Sequence, residues 1–209
     1  KTATDAGLIV VAAAGNTNVS LDAEEYKDYM QRGDSGAIIV GGGTADMNHN
    51  RVSYSVYGSR VNLQGWSEGV FTTSESTFNS RTGTCTPFIL GDDINQAYTP
   101  CFRGTSSATP IVASCVAVLQ SFYFAQTGNY LTALEIREVL KSTGTSQGSG
   151  GNIGPLPNMQ AAIEKVNSDY LLSVSTNELS GDFVVYPNPT ANVVNLTLPD
   201  YFTAQTTLS

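Results

Sequence analysis

Basic residues are scarce. Lys and Arg total 10 against 18 Asp and Glu, giving a formal net charge of −8 and a pI near 4.4. Proteins that grip nucleic acid present a basic face, so no DNA or RNA partner is expected. No stretch approaches the roughly 20 consecutive apolar residues of a spanning helix, and the best run, Leu8 to Ala14, has the length of a buried strand. Three cysteines allow one pair and do not define a redox compartment. Charged residues make up only 13% of the 209 and apolar residues 41%, which argues against disorder and for one packed domain with a small appendage. The chain opens at Lys1 with no charged-then-apolar leader pattern, and we expect amino-terminal sequence to precede it.

Strand and helix signals alternate along most of the chain. Leu8–Ala14 is apolar without alternation and ends at Gly15-Asn16, as in a parallel strand covered on both faces. Ala37–Val40 followed by Gly41-Gly42-Gly43 repeats the pattern, with weaker strand candidates at Val52–Tyr57 and Val61–Leu63. From Ser107 to about Phe124 apolar residues leave almost no polar face, which predicts a helix buried on most sides with Pro110 in its first turn. Thr132 and Glu135 form a capping-box pattern ahead of Ile136, Val139 and Leu140. A Gly/Ser-rich loop over 142–154 precedes a further helical stripe, Met159, Ala162, Ile163 and Val166. The expected class is α/β. After a linker over 169–182, Tyr186-Pro187-Asn188-Pro189-Thr190 and the alternation at Val194, Leu196 and Leu198 mark a β module over 183–209 that breaks off too early to be a stable sandwich.

Two short motifs carry chemistry. In Gly104-Thr105-Ser106-Ser107-Ala108-Thr109-Pro110 a serine stands between a glycine and the first turn of a helix, where unpaired N–H groups and the helix dipole favour negative charge. Gly15-Asn16 lies just past the carboxyl end of a parallel strand, the edge at which open α/β sheets hold ligands, and an amide there can donate to an oxyanion.

With its order of motifs, the chain resembles the subtilisin-like serine peptidases, or subtilases. Residues 104–110 match their nucleophile motif and Ala13-Ala14-Gly15-Asn16 their oxyanion motif, and the likeness continues through Arg51–Ser55, Gly65-Trp66 and Ile153-Gly154-Pro155. It covers roughly residues 1–168, the carboxyl-terminal part of a catalytic domain. The 90 positions between Asn16 and Ser106 imply inserted loops, expected at Leu21–Arg32 and Cys85–Cys101, the latter a candidate disulfide. The resemblance implies a partial subtilisin-like parallel sheet with helices on both faces. It makes Ser106 the nucleophile, puts Asn16 in the oxyanion hole, and places Ala13, Ala14, Gly15, Gly104 and Thr105 against a polypeptide substrate.

The family's acid and base precede its oxyanion asparagine, whereas residues 1–15 contain no histidine. His49, the only one, follows Asn16 in a polar run that reads as an exposed loop, and Asp5 reads as a helix-end residue. Both triad partners are therefore expected upstream of Lys1, and this stretch alone is expected to be inactive. The competing reading is a non-catalytic surface or adhesion protein on a subtilase scaffold. No cofactor is assigned. Asp92-Asp93 and Asp46-Met47-Asn48 have oxygens a calcium ion would accept but no complete ligand pattern. The tail from Val184 to Leu198 resembles the start of the C-terminal sorting domain of the type IX secretion system of Bacteroidetes. That likeness implies the secretion machinery as a partner and a secreted or cell-surface location.

Overall fold

The computed structural model describes residues 1–73, 88–89, 95, 97–171, 184–186 and 195–197. Two units divide the chain, Lys1–Leu172 and Ser173–Ser209.

At the centre of the first unit is a parallel sheet of β1 (Val11–Ala13), β2 (Ile38–Gly43) and β3 (Leu63–Trp66), in that order. Its register sets Val11 beside Ile38 and Val40 beside Leu63. Ile38 and Val40, two positions apart on β2, share one face of the strand and are completely buried, as is Leu63. These side chains meet Ala108, Val112 and Leu119 of the long helix α3 (Thr105–Thr127) in one apolar cluster. The α/β class expected from composition and pattern is the class the chain adopts.

Helices α4 (Ala133–Thr143) and α5 (Met159–Val166) complete that cluster through Ile136, Val139, Leu140, Ala162 and Val166. The capping box forms: Thr132 N–H donates to Glu135 Oε2 at 2.7 Å, and Glu135 N–H to Thr132 Oγ1 at 3.3 Å. Asn158 caps α5 by accepting the Ala161 N–H at 3.2 Å. Two short helices, α1 (Thr2–Asp5) and α2 (Lys27–Met30), flank β1, and α2 extends the 3-10 turn Glu24–Tyr26 inside the segment 21–32.

Several expectations are corrected. α3 starts at Thr105, two residues early, so Pro110 lies in the second turn and removes the amide that would bond the Ser106 carbonyl. α3 is also one-sided: Val118 and Phe124 are 53% and 43% exposed, because only residues at the 3.6-residue repeat of Ala108, Val112, Val116 and Leu119 reach the sheet. By length and composition this 23-residue helix is apolar enough to cross a membrane, contrary to the sequence-based expectation. Val52–Tyr57 forms turns rather than a strand, and β3 begins at Leu63.

Between β3 and α3 a second, antiparallel sheet sets β4 (Val70–Thr73) and β5 (Phe88–Ile89) on either side of β6 (Ala97–Phe102). Sequence reading placed only a loop there. Cys101 is disulfide-bonded and Cys115 is a free thiol. Cys85 lies outside the described residues. In the second unit β7 (Val184–Tyr186) pairs antiparallel with β8 (Asn195–Thr197), and residues 187–190 of the expected turn 186–190 lie outside the described residues.

α3 crosses β3 at Gly65, where a Cβ would stand 2.5 Å from the Ala108 carbonyl oxygen and 2.9 Å from its Cα. Gly65→Ala should therefore force helix from sheet and cost about 1–3 kcal/mol, read from urea unfolding. A second tie joins α4 to the segment before β2: Arg137 Nη1 donates to Asp34 Oδ1 at 2.9 Å, and Nη2 to Oδ2. The Arg137 hydrogen bonds hold the Asp34 carboxyl well below its ordinary value of 3.8. That contribution is complete above the ordinary value and is lost as pH falls below it towards the folded one. Asp34→Asn should flatten this acid limb of the stability–pH profile, by a modest amount because the Asp34 side chain is 58% exposed and screened by solvent.

Candidate active site

β1 carries the chain to the carboxyl edge of the sheet, where the Ala14 N–H still reaches the Val40 carbonyl at 2.9 Å. Gly15 then turns with φ +110°, a region that L side chains avoid, and exposes Asn16. A neighbouring loop clamps this turn. Val56 N–H bonds to Gly15 O at 3.0 Å and Asn18 N–H to Tyr54 O at 2.8 Å. Arg51 donates to Asn18 Oδ1 at 3.0 Å and Ser55 O at 2.8 Å, with its guanidinium 4.3 Å from the centre of the Tyr57 ring.

β6 delivers the other half. It ends at Phe102, and Gly104 caps α3 with φ +92° while its N–H holds Ser67 O at 2.9 Å. Tyr54 Oη donates to that same carbonyl at 2.7 Å, so the clamp on Asn16 also touches the approach to α3.

The halves meet through one residue. Thr105 N–H donates to Asn16 Oδ1 at 2.9 Å, and Thr105 Oγ1 lies 3.1 Å from the same oxygen. In turn, Gly15 N–H donates to Thr105 Oγ1 at 3.2 Å. With Oδ1 accepting twice, the Asn16 amide is oriented and its Nδ2 is left without an acceptor among the described residues. At Gly104 a Cβ would stand 3.1 Å from Nδ2, so the glycine keeps that side clear. Asn16, Tyr54, Arg103 and Gly104 line a cleft of about 370 Å³.

Ser106 follows Thr105 and is exposed. Ser107 and Ala108 direct their N–H groups to Gly104 O at 3.0 and 3.4 Å, whereas the Ser106 N–H finds no acceptor among the described residues. Its neighbour Ser107 is buried, with Oγ within 3.1 Å of Trp66 O and 3.0 Å of Gly104 O. Of the two adjacent serines, one is structural and the other is open.

Other candidate residues fall elsewhere. Thr105 is completely buried and contacts Asn16, not an open surface. Ala13 is exposed, and Ala14 and Gly15 are half-buried. His49 is half-buried rather than exposed, with Nδ1 shielded and lacking a hydrogen bond, and it does not line the cleft. Asp5 ends α1 and pairs with Lys1 at 2.8 Å. Asp46 spends its oxygens on Thr44 Oγ1 at 2.6 Å and on Asn48 N–H and Nδ2, which lowers its pKa. Among the described residues no group of three or more His, Cys, Asp or Glu is placed to hold a metal, and Asp92-Asp93 lies outside them. Burial pushes the Cys115 thiol pKa up, which makes it a poor nucleophile. Tyr54, Arg51 and Arg103 were given no individual role from sequence; their shared signal was the Arg51–Ser55 motif for the first two and adjacency to Gly104 for the third.

The subtilase family profile matches residues 1–161. The chain belongs to the subtilase family. It is 31% identical over 159 residues to subtilisin DY of Bacillus licheniformis, covering 76% of this chain and 47% of that protein. Subtilisin BL of Lederbergia lenta is 32% identical over 161 residues, covering 77% of this chain and 48% of the relative. The self-cleaved protease domain of PatA has the same fold, with a TM-score of 0.54 over 80% of this chain and 53% of that one at 19% identity. This subtilase chain thus spans about half the length of the relatives it matches.

Thr105→Val keeps the shape of this junction and removes its hydroxyl. Gly15 N–H then loses its acceptor and Asn16 Oδ1 one of two donors, at a cost of about 1 kcal/mol. Faster hydrogen exchange at the Gly15 amide, with little change at β2, is the expected signature.

Proposed function

We propose that this chain is the carboxyl-terminal part of a secreted serine endopeptidase, with Ser106 as nucleophile and an oxyanion hole made by Asn16 Nδ2 and the Ser106 N–H. The observation that supports this reading is the double acceptance at Asn16 Oδ1 from Thr105, which leaves the amide's donor half without an acceptor among the described residues; the N–H of Ser106, the next residue after Thr105, is likewise without one. Ser106 Oγ forms a bond to the scissile carbonyl carbon while its proton passes to a base, and the carbonyl electrons move onto the oxygen held by the two donors. Collapse expels the amine, which takes up the proton, and water then hydrolyses the acyl-enzyme. Substrate backbone lies along Ala13, Ala14 and Gly15 and beside Gly104, with Thr105 acting on it through Asn16.

The base and its orienting acid come from sequence upstream of Lys1. His49 follows Asn16 where the family's base precedes it, and it is assigned no catalytic role. The same upstream part would cover the open edge of β1 and the exposed apolar side of α3. The tail over 183–209 fits the start of a type IX sorting domain, with export to the cell surface or medium; of the expected linker 169–182, Tyr170 and Leu171 pack on the first unit, so the linking role falls to residues after Leu172. No cofactor is required by this chemistry.

The competing reading, a non-catalytic surface protein on the same scaffold, is favoured by the lack of any imidazole at the cleft among the described residues. A serine-directed fluorophosphonate separates the two. The chain with its upstream sequence should be labelled at Ser106, its Ser106→Ala variant should not, and the 209-residue stretch should stay unmarked. Equal labelling of the long chain and its variant would remove Ser106 from the reaction; no labelling of either would favour the non-catalytic scaffold.

A further inference from the structure

A second cavity, of about 260 Å³, opens at the amino ends of β2 and β3, the opposite end of the sheet from Asn16. Its lining includes Arg60 from the loop before β3, Asn62, and Arg137 and Lys141 from α4. The chain has only 10 Lys and Arg, yet three of them line this one cavity alongside a single carboxylate, Asp34.

That carboxylate is already committed. Both of its oxygens accept from Arg137, and Oδ1 also takes the Gly36 N–H at 2.8 Å. Arg60 is fixed instead by main-chain carbonyls, donating to Met30 O at 2.8 Å, Gly33 O at 3.4 Å and Arg32 O, with its guanidinium 5.3 Å from the Tyr29 ring centre. Carbonyl oxygens orient a guanidinium but leave its unit charge uncancelled. Among the described residues Lys141 reaches only the exposed Glu138, at 3.3 Å.

Neutral donors point the same way. Asn62 Oδ1 accepts the Ile39 N–H at 2.8 Å, so its NH₂ is left to donate and meets no acceptor among the described residues. Arg137 Nε, a charged donor on a side chain only 9% exposed, has no hydrogen-bond acceptor among the described residues, with the exposed Glu138 carboxylate 3.8 Å away. The lining thus carries three cations against one carboxylate, and only exposed Glu138 beside it adds counter-charge.

We propose that this cavity is a binding site for a tetrahedral oxyanion, inorganic phosphate or sulfate, held by Arg60, Lys141 and the Asn62 amide. A guanidinium charge, an ammonium and an amide NH₂ brought in from different elements suit a ligand whose acceptors spread in three dimensions, better than they suit a planar carboxylate or a single chloride. Occupancy would tie α4 to the loop before β3 and raise stability by mass action. The inference is independent of the proposed proteolysis, because none of these residues lines the Asn16 cleft.

Calorimetric titration of the 209-residue chain with sodium phosphate, at ionic strength held constant with chloride, tests it. Saturable one-to-one binding and a melting temperature that climbs with phosphate are expected, with sulfate behaving alike and acetate doing neither. Arg60→Gln would also loosen the 30–33 loop, so the deciding variant is Lys141→Gln, which loses only a surface contact. It should melt normally without phosphate and bind it about tenfold more weakly, as expected for one charged donor. Absence of saturable binding, equal binding of acetate, or unaltered affinity in Lys141→Gln would overturn the proposal.

Discussion

The contact between Asn16 and Thr105 is the constraint on which the rest of the site depends. It joins residues 89 positions apart, one leaving β1 and one opening α3, and neither partner reaches it on a flexible arm. β1 is set by its register with β2, and α3 by the close crossing of Gly65 against Ala108. The position of the Asn16 amide is thus the sum of two rigid placements, and its orientation follows from hydrogen-bond valence. An asparagine amide turned by 180° would set its NH₂ against the Thr105 N–H, donor against donor.

Around that contact runs a second set of bonds that makes a surface loop behave as part of the scaffold. Arg51 holds Asn18, Val56 holds Gly15, and Tyr54 holds the Ser67 carbonyl that also receives Gly104. The loop carrying Asn16 and the cap carrying Gly104 therefore share one support. Sites that act on transient charge need their donors held before the charge forms, and loops rarely provide this unless braced by such neighbours.

Some of this was legible in the sequence and some was not, for physical reasons. β2 announced itself as an unbroken apolar run because a parallel strand is covered on both faces, whereas β1 takes only Val11–Ala13 of its apolar run and leaves Leu8 61% exposed and Ala13 exposed; α4 was legible through a local capping signal that its fold neighbours do not alter. The motifs around Ser106 and Asn16 were legible because their glycines are demanded by backbone geometry, and the structure brings Asn16 against Thr105, the residue before Ser106. The one-sidedness of α3 was not, since composition reports how apolar a helix is and not which side another element covers. The antiparallel β4–β6 sheet was missed because strands this short depend on partners remote in sequence, and Val52–Tyr57 was misread because its apolar residues pack beneath a turn. Thr105 was placed against substrate, whereas burial and valence direct it to Asn16. The cavity at the amino edge had no sequence signal at all: Arg60, Asn62 and Lys141 come together only when α4 docks beside β2 and β3.

The two ends of the sheet meet negative charge in opposite ways, and the difference is chemically consistent. At the carboxyl end the proposed donors are neutral, the Asn16 NH₂ and the Ser106 main-chain N–H, with Arg103 among the residues lining the Asn16 cleft. An oxyanion in the proposed reaction exists only briefly, so it gains most from dipoles that are already aligned and that do not retain solvent anions between turnovers. At the amino end the donors are full cations fixed by carbonyls and a carboxylate, which suits a ligand that stays. In a chain with net charge −8, a cationic pocket must be assembled from a small supply of basic residues, and the one proposed here lies at the opposite end of the sheet from the proposed oxyanion donors, where a bound anion would not compete with them.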